Sequence, residues 1–428
     1  MVCPVFPVCR GSRVGVGNRG LSPFSRSPFS VGNRGLSPFS VFVPVFRFLP
    51  LQYTAPCAGI EPAFIRGDRV ARDKLRVGFI GAGRISDLHA LEYLRNPRAQ
   101  LAAVCDVNTQ IARQRAMGWG VPPDRVFADH RQLLACEEID LVEILLPHHL
   151  HAPVALAAIR AGKHVSLQKP MTLSLQEADE VIAAARAAKV QLRVFENVLF
   201  YPPVQRAKAL IEAGMIGEPL SIRVKCNKGD PATAWTVPES ARAWRQDAAQ
   251  SGGGPLTFDD GHHKFAAAWH FMGKPEAVHA WIERREIEPG VVLDAPALIS
   301  WKFAGCRYGS LEVVYSPKLQ VTTEHYAQHD PIEITGAKGV IWITRGHGRL
   351  WDQAPVILYA DGQVREFRDM DAGWEASFTE ATRHHIDVLL DGGTPMLTGE
   401  QGREILQFTL AAQRSAREGR AVRIEEEQ

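Results

Sequence analysis

The sequence predicts an α/β protein: a doubly wound parallel sheet first, then an α+β unit with a large, mostly antiparallel open sheet. Three observations carry this. Apolar runs alternate with helical stretches, over short links, from Leu75 to Asn197. A glycine-rich turn joins the first apolar run to the helix after it. Beyond residue 277, strand-like stretches follow one another without intervening helices.

The run LRVGFIG (75–81) reads as a buried parallel strand, and the helix after it closes before Pro97. AQLAAVCD (99–106) is the second strand and 109–117 the second helix. IDLVEILLP (139–147) is a strand stopped by Pro147, 151–162 a helix with a glycine end, and 163–168 the next strand. Ser174 and Glu177 form a capping box that opens a helix running to Ala188. The last strand of this half is 190–197. Helices at 203–213 and 262–272 then flank a segment rich in Trp, Pro and Ala, read as a loop at 226–251. Strands are expected at 277–288, 291–303, 307–316, 319–326, 331–336, 339–344, 356–360 and 363–367, and helices at 374–391 and 400–417.

The chain has 428 residues, 46% hydrophobic and 22% charged, which excludes collagen, a disulfide miniprotein and wholesale disorder. Residues 1–60 hold six Arg and no acid; the remainder has 43 basic and 47 acidic side chains, no footprint for nucleic acid. The decapeptide VGNRGLSPFS occurs at 16–25 and again at 31–40, in a stretch without helical or strand period. The apolar stretch 41–51 is too short to span a bilayer and is interrupted by Pro44, Arg47 and Pro50. Residues 1–72 therefore read first as upstream sequence translated from too early a start, then as a transit peptide, then as a functional tail. Seven Cys, scattered, fit a reducing, cytoplasmic setting rather than a disulfide framework.

GAGRIS (81–86) lies between the first strand and first helix. Gly81 allows the tight turn and Gly83 lets backbone approach a pyrophosphate at a helix N-terminus; the third small position is Ser86. Arg84 and Ile85 follow into the helix, as further cofactor contacts. Asp106 ends the second strand, where a carboxylate accepts both ribose hydroxyls of an adenosine and repels a 2′-phosphate. The expectation is a Rossmann domain that binds NAD in preference to NADP.

LPHHLHAPVALAAIRAGKHVSLQKP (146–170) resembles the signature of the Gfo/Idh/MocA oxidoreductases, named for glucose–fructose oxidoreductase and inositol dehydrogenase. GGGPLTFDDGHH (252–263) resembles their second signature, a Gly triplet followed by Asp-x-Gly-x-His. The resemblance runs from about residue 75 to the C-terminus. It implies a Rossmann domain followed by an α/β domain whose open sheet often forms a dimer interface. The expected division is 1–72 as an extension, 73–197 as the NAD-binding domain and 198–428 as the substrate-binding and oligomerisation domain. A homodimer or homotetramer follows.

The resemblance gives Lys169, Asp259 and His263 catalytic roles. The chemistry agrees: alcohol oxidation needs a base for the hydroxyl proton, which an imidazole suits, and an ammonium to stabilise developing alkoxide. Asp259, four residues before His263, is expected to orient substrate or imidazole. His262 points elsewhere and is expected to be structural. Leu146, Pro147, His148, His151 and Gln168 are expected beside the cofactor. Gln168 stands where the family has Glu, and Leu199 stands where the family often has an Arg before Phe. Asn197, Tyr201, Trp244 and Arg245 are candidate substrate contacts. Trp244 reads equally as a sugar-stacking face and as a loop anchor; Trp235 reads as an anchor. The His pairs at 148–149, 262–263 and 384–385 lack the i, i+4 spacing of a zinc helix, and no catalytic metal is expected.

The function that follows is hydride transfer between nicotinamide and a hydroxyl-bearing carbon of a sugar, polyol or sugar derivative. The alternatives are glycoside cleavage by transient oxidation and elimination, and a non-catalytic nucleotide-binding regulator.

Overall fold

The computed structural model describes residues 74–230, 232 and 234–427. The readings made for residues 1–72 lie outside them. Six parallel strands form the first sheet: β1 (Leu75–Ile80), β2 (Ala99–Cys105), β3 (Val126–Phe127), β4 (Leu141–Ile144), β5 (His164–Gln168) and β6 (Leu192–Phe195). Their order is β3-β2-β1-β4-β5-β6, so the chain reverses direction across the sheet between β1 and β4. All four residues of β4 are buried, because helices cover both faces. These helices are α1 (Ile85–Arg95), α2 (Thr109–Trp119), α3 (His130–Leu134), α4 (His151–Arg160) and α5 (Leu175–Ala188). Ser174 caps α5 by accepting from the Glu177 N–H at 3.2 Å, but the Glu177 carboxylate turns back to the Leu173 N–H instead. The expected box is displaced by one residue on its second arm.

After α6 (Pro202–Glu212) comes β7 (Pro219–Lys228), then α7 (Glu239–Gln246), α8 (Ala248–Ser251) and α9 (Gly261–Met272). The strands that follow are β8 (Ala277–Ile282), β9 (Arg285–Glu288), β10 (Val291–Leu293), β11 (Ala297–Phe303), β12 (Arg307–Tyr315), β13 (Gln328–His329), β14 (Ile332–Gly336), β15 (Gly339–Ile343), β16 (Val356–Ala360) and β17 (Gln363–Phe367). Helices α10 (Trp374–Asp391) and α11 (Gly399–Glu418) and strand β18 (Val422–Arg423) end the chain. The second sheet runs β17-β16-β15-β14-β7-β12-β11-β8-β18, with β13 paired to β7 and β9–β10 apart as a hairpin. All its pairings are antiparallel except β7 with β12.

Three sequence expectations need correction. The segment before α9 is not only loop: it holds α7 and α8, and ahead of them β7 sits at the centre of the sheet. Its single apolar residues Ile222, Val224 and Cys226 alternate with Arg223 and Lys225, so half the strand reads as polar. The expected strand at 319–326 is a strap with one isolated bridge, Thr322 to Arg349. The expected strands 277–288 and 291–303 are each broken in two, the second at Asp294, whose carboxylate is taken by another segment.

Arg193 ties the first sheet to α10 and is 1% exposed. Its guanidinium donates to Ser166 Oγ at 2.9 Å, to the Ala381 carbonyl at 2.6 Å and to Glu143 Oε1 at 3.2 Å. Removing one partner of a buried pair strands the other charge. Arg193→Ala is therefore expected to lower unfolding free energy by about 3–5 kcal/mol. The double change Arg193→Met with Glu143→Gln is expected to lose much less. Urea melts of the three chains check this.

Candidate active site

The carboxyl edge of the first sheet gathers the expected cofactor residues, as the reversal of strand order requires. Gly81 has φ +102°, and a Cβ there would lie 2.3 Å from the Leu145 carbonyl oxygen. A Cβ on Gly83 would meet nothing within 4 Å, so backbone is open to a ligand on that side. No side chain caps α1; the Ser86 and Asp87 N–H groups turn back to the Gly83 and Arg84 carbonyls at 3.0 and 3.2 Å, in the tight first turn that faces this edge. Ser86 replaces a third glycine without loss, because its buried hydroxyl donates back to the Gly83 carbonyl at 2.5 Å. Asp106 is fixed against this turn, accepting from the Ala82 N–H and from the Asn108 N–H, each at 2.8 Å. The Arg84 guanidinium, at the start of α1, lies 4.0 Å over the Trp235 ring, and the Trp235 backbone N–H donates to the His325 carbonyl. Trp235 thus anchors its loop. These features fit a dinucleotide along the edge from Gly81 to Asp106.

Leu146, Pro147 and Ile85 are half-buried at the same edge. His148 and His151 are buried behind this edge. His151 is fully buried, 2.8 Å from the carbonyls of both Leu146 and Pro170; burial lowers its pKa to about 3, so one nitrogen donates. His148 Nδ1 is 2.8 Å from the Ser251 carbonyl and its Nε2 is 3.5 Å from Asp259 Oδ1. The Gln168 amide nitrogen contacts His89 Nε2 at 2.9 Å, while its oxygen accepts from the Lys169 N–H at 2.8 Å.

Lys169, just past β5, reaches across to the turn before α9. Its ammonium donates to both Oδ1 and the carbonyl of Asp259, each at 2.7 Å. Arg245 Nε donates to Asp259 Oδ2 at 2.7 Å. Burial pushes the Asp259 carboxyl up, but Lys169 and then Arg245 outweigh it and hold the group well below the usual carboxylate range. The turn that carries Asp259, a wide helical turn at Pro255–Asp259, is pinned by Asp294. That carboxylate accepts from the Leu256 and Thr257 N–H groups, each at 2.7 Å. A Cβ on Gly254 would lie 2.1 Å from Asp294 Oδ2, which explains the last glycine of the triplet.

His263 does not use Asp259 as its orienting partner. Its Nδ1 lies 2.5 Å from Oε1 of Glu196, a fully buried carboxylate at the end of β6 that the sequence reading passed over. The signal was available: Glu196 closes a β-run at the ligand-binding edge. Burial, then the Lys169 and Lys264 ammoniums, hold the His263 imidazole well below its usual value, which favours the neutral form. His262 is turned toward α11, with Nδ1 3.4 Å from the Thr409 hydroxyl, and burial lowers it to about 3. Two expected substrate contacts are committed elsewhere. The Asn197 amide donates to Ser377 Oγ at 2.8 Å, and the Tyr201 hydroxyl to the Ala372 carbonyl at 2.7 Å. The Tyr201 ring still lines a small cavity with His263, His347 and Trp374. Trp244 stands edge-to-face with His148, with ring centroids 4.7 Å apart, and the Arg245 guanidinium lies 4.2 Å from the Trp244 ring centre.

The family model described as the oxidoreductase family's NAD-binding Rossmann fold matches residues 75–196, and the model of its C-terminal alpha/beta domain matches 208–424. The chain belongs to the Gfo/Idh/MocA oxidoreductases. NAD is thus the cofactor of its first domain. Myo-inositol 2-dehydrogenase of Thermotoga maritima is 27% identical over 360 residues, which are 82% of this chain and 99% of that one. Levoglucosan dehydrogenase of Pseudarthrobacter phenanthrenivorans is 31% identical over 229 residues, 50% of this chain and 57% of that enzyme. Among solved structures, an oxidoreductase from Agrobacterium radiobacter in complex with NAD+, L-tartaric acid and magnesium superposes with a TM-score of 0.71 at 22% identity. It covers 82% of this chain and 99% of its own.

Glu196→Gln keeps the shape of the partner and removes its charge. Turnover is expected to fall about 10–100-fold. The acid limb of the kcat/KM profile should move to lower pH, because losing an anion lowers the imidazole pKa. A pH–rate series on both forms checks it; an unmoved limb at full rate contradicts the assignment.

Proposed function

We propose that this chain is an NAD-dependent dehydrogenase acting on a CH–OH group of a sugar, polyol or sugar derivative, with NAD preferred over NADP. The observation that carries the reading is the Lys169 ammonium, fixed by Asp259, near the neutral, Glu196-braced His263. The related myo-inositol and levoglucosan dehydrogenases support the substrate class. Bound NAD supplies the hydride acceptor. His263 Nε2 takes the hydroxyl proton, and Lys169 stabilises the negative charge that develops on the oxygen. Asp259 holds Lys169 in place. Arg245 and Trp244 flank this pair and supply a hydrogen-bonding and a stacking surface for a polyhydroxylated ring. Asp106 binds the adenosine ribose hydroxyls, and Gly81, Gly83, Arg84 and Ile85 shape the pyrophosphate turn.

The test is a panel of inositols, sugars and glycosides with NAD and with NADP, read at the NADH band and by product analysis. NADH formation with an inositol or sugar, faster with NAD, is the expected result. Release of an aglycone without net NADH would replace dehydrogenation by elimination. His263→Ala should lower turnover about 10²–10⁴-fold with little change in NAD affinity. Lys169→Ala should be comparably damaging, and His262→Ala far milder. Asp106→Ser should narrow the preference for NAD, measured by titration with both cofactors.

We also propose a cytoplasmic homo-oligomer, a dimer or tetramer, built on the outer face of the second sheet. That face carries Trp281 at 58% exposure, Leu298 at 45%, Tyr308 at 57% and Tyr359 at 43%. Trp281 and Leu298 are direct cross-strand neighbours. An apolar surface of this kind favours burial against a second copy. The free cysteines Cys105, Cys136, Cys226 and Cys306 agree with a reducing compartment. Trp281→Glu with Leu298→Glu is expected to shift light scattering from oligomer toward monomer; a monomeric native chain contradicts the assembly.

A further inference from the structure

We propose that Arg345 receives a carboxylate of the substrate, so that the preferred alcohol belongs to a sugar acid rather than to a neutral sugar. This rests on the dehydrogenase reading, in which His263 takes the hydroxyl proton. Arg345 and His263 line one small cavity, together with Tyr201, His347 and Trp374. A substrate held at His263 has this cavity beside it for a substituent.

Arg345 follows β15 on a segment pinned from both sides. Thr344 Oγ1 donates to the Ala354 carbonyl at 2.8 Å, across the turn that joins β15 to β16. Asp330 Oδ2 accepts from His347 Nδ1 at 2.7 Å and from the His347 N–H at 3.4 Å. A Cβ on Gly346 would lie 2.7 Å from the Asp330 Cβ, so a side chain there would push the segment off that carboxylate. The His347 ring packs on Trp374, with centroids 4.1 Å apart. The guanidinium is thus presented from a fixed backbone. Its place depends on residues remote in sequence, which is why spacing along the chain gave no sign of it.

That guanidinium is short of acceptors. Its Nη2 donates to the Gln353 carbonyl at 2.7 Å and to Asp352 Oδ1 at 3.3 Å. Its Nε–H is buried and has no partner among the described residues. An unmet buried donor on a charged group is costly, and an acceptor brought in through the cavity removes that cost. Asp352 is a weak counter-ion: its side chain is 75% exposed, and it also faces Arg349 at 3.9 Å and Arg368 at 4.0 Å. Glu366 pairs with Arg368, so three guanidiniums meet two carboxylates there. Burial and then Arg349 push the Arg345 guanidinium below its usual value. The other charges on the cavity wall are matched. Asp330 accepts from Gln328 and His347 and lies 3.4 Å from Lys264, which also donates to Asp260 at 2.8 Å. A carboxylate suits the planar guanidinium and brings the one negative charge that is lacking. The reaction itself is unchanged: the hydride passes from carbon to NAD, the hydroxyl proton to His263, and the carboxylate stays intact.

The test uses the full chain with NAD and matched substrates: glucuronate against glucose, galacturonate against galactose, and glucose 6-phosphate as a different anion. For at least one pair, kcat/KM for the acid is expected to exceed that for its neutral partner by about 10–100-fold, mainly through KM. Arg345→Gln should bring that ratio close to one, and Arg345→Lys should restore part of it. Arg349→Gln removes a charge beside the same Asp352 without touching the cavity, and should keep the ratio within about fivefold. Should circular dichroism show that Arg345→Gln fails to fold, calorimetric titration of both acids and both neutral sugars into native and Arg345→Lys chains carrying NADH makes the same comparison. Neutral sugars oxidised as well as the acids, a ratio unmoved by Arg345→Gln, or the phosphate ester preferred to both acids overturns the proposal and leaves the dehydrogenase reading intact. NADH formed from no member of the set, with an acid still bound through Arg345, overturns that reading and leaves the site. Neither turnover nor acid binding overturns both.

Discussion

The Lys169–Asp259 contact, 2.7 Å long and almost wholly withdrawn from water, joins the end of β5 to the turn before α9 at the point where chemistry is proposed. Lys169 stands at the carboxyl end of β5, and Asp259 stands on the turn that leads into α9. Neither charge is stable in such a place alone, because desolvation of a lone ion costs several kcal/mol. Each is tolerable because the other faces it, with Arg245 on the far carboxylate oxygen. The surrounding structure can be understood as what is needed to hold Asp259 there. Asp294 pins the turn from beneath, Gly254 makes room for that carboxylate, and His148 closes one side.

The same reliance on paired buried groups recurs around the site. Arg193 with Glu143, His263 with Glu196, and Lys264 with Asp260 and Asp330 all place ionisable groups below the surface in fixed partnerships. Such networks are costly to assemble and rigid once complete. Rigidity suits the proposed reaction, in which a proton acceptor and an ammonium meet one oxygen with little freedom to wander. The first sheet provides the fixed frame: β1, β2, β5 and β6 each end at a residue that faces the ligand edge or is one step from it.

The first half of the fold was legible because buried parallel strands are nearly continuous apolar runs, and those of β1, β2, β4 and β5 stand out in the sequence. The glycine turn, Asp106, Lys169, Asp259 and His263 were legible because they sit in short local patterns. What was missed depends on contacts between distant segments. β7 alternates charge with single apolar residues, and only its position between β12 and β14 makes it central. Glu196 and Asp294 act through partners 67 and 38 residues away, so no spacing announces them. Of the two expectations for Asp259, to orient substrate or imidazole, the imidazole one fails, because the wide turn at 255–259 sends Asp259 toward Lys169 while Glu196 takes His263.

The central claim is that hydride passes between a hydroxyl-bearing carbon and NAD at the Lys169–Asp259–His263 cluster. A polyol found active with the native chain, deuterated at the reacting carbon, tests it most directly. Mass spectrometry of the reduced cofactor should show one deuteron carried into NADH, with Lys169→Ala and His263→Ala both slowing its appearance while still binding NAD. NADH without deuterium, or label transfer at the native rate in both variants, would contradict the account.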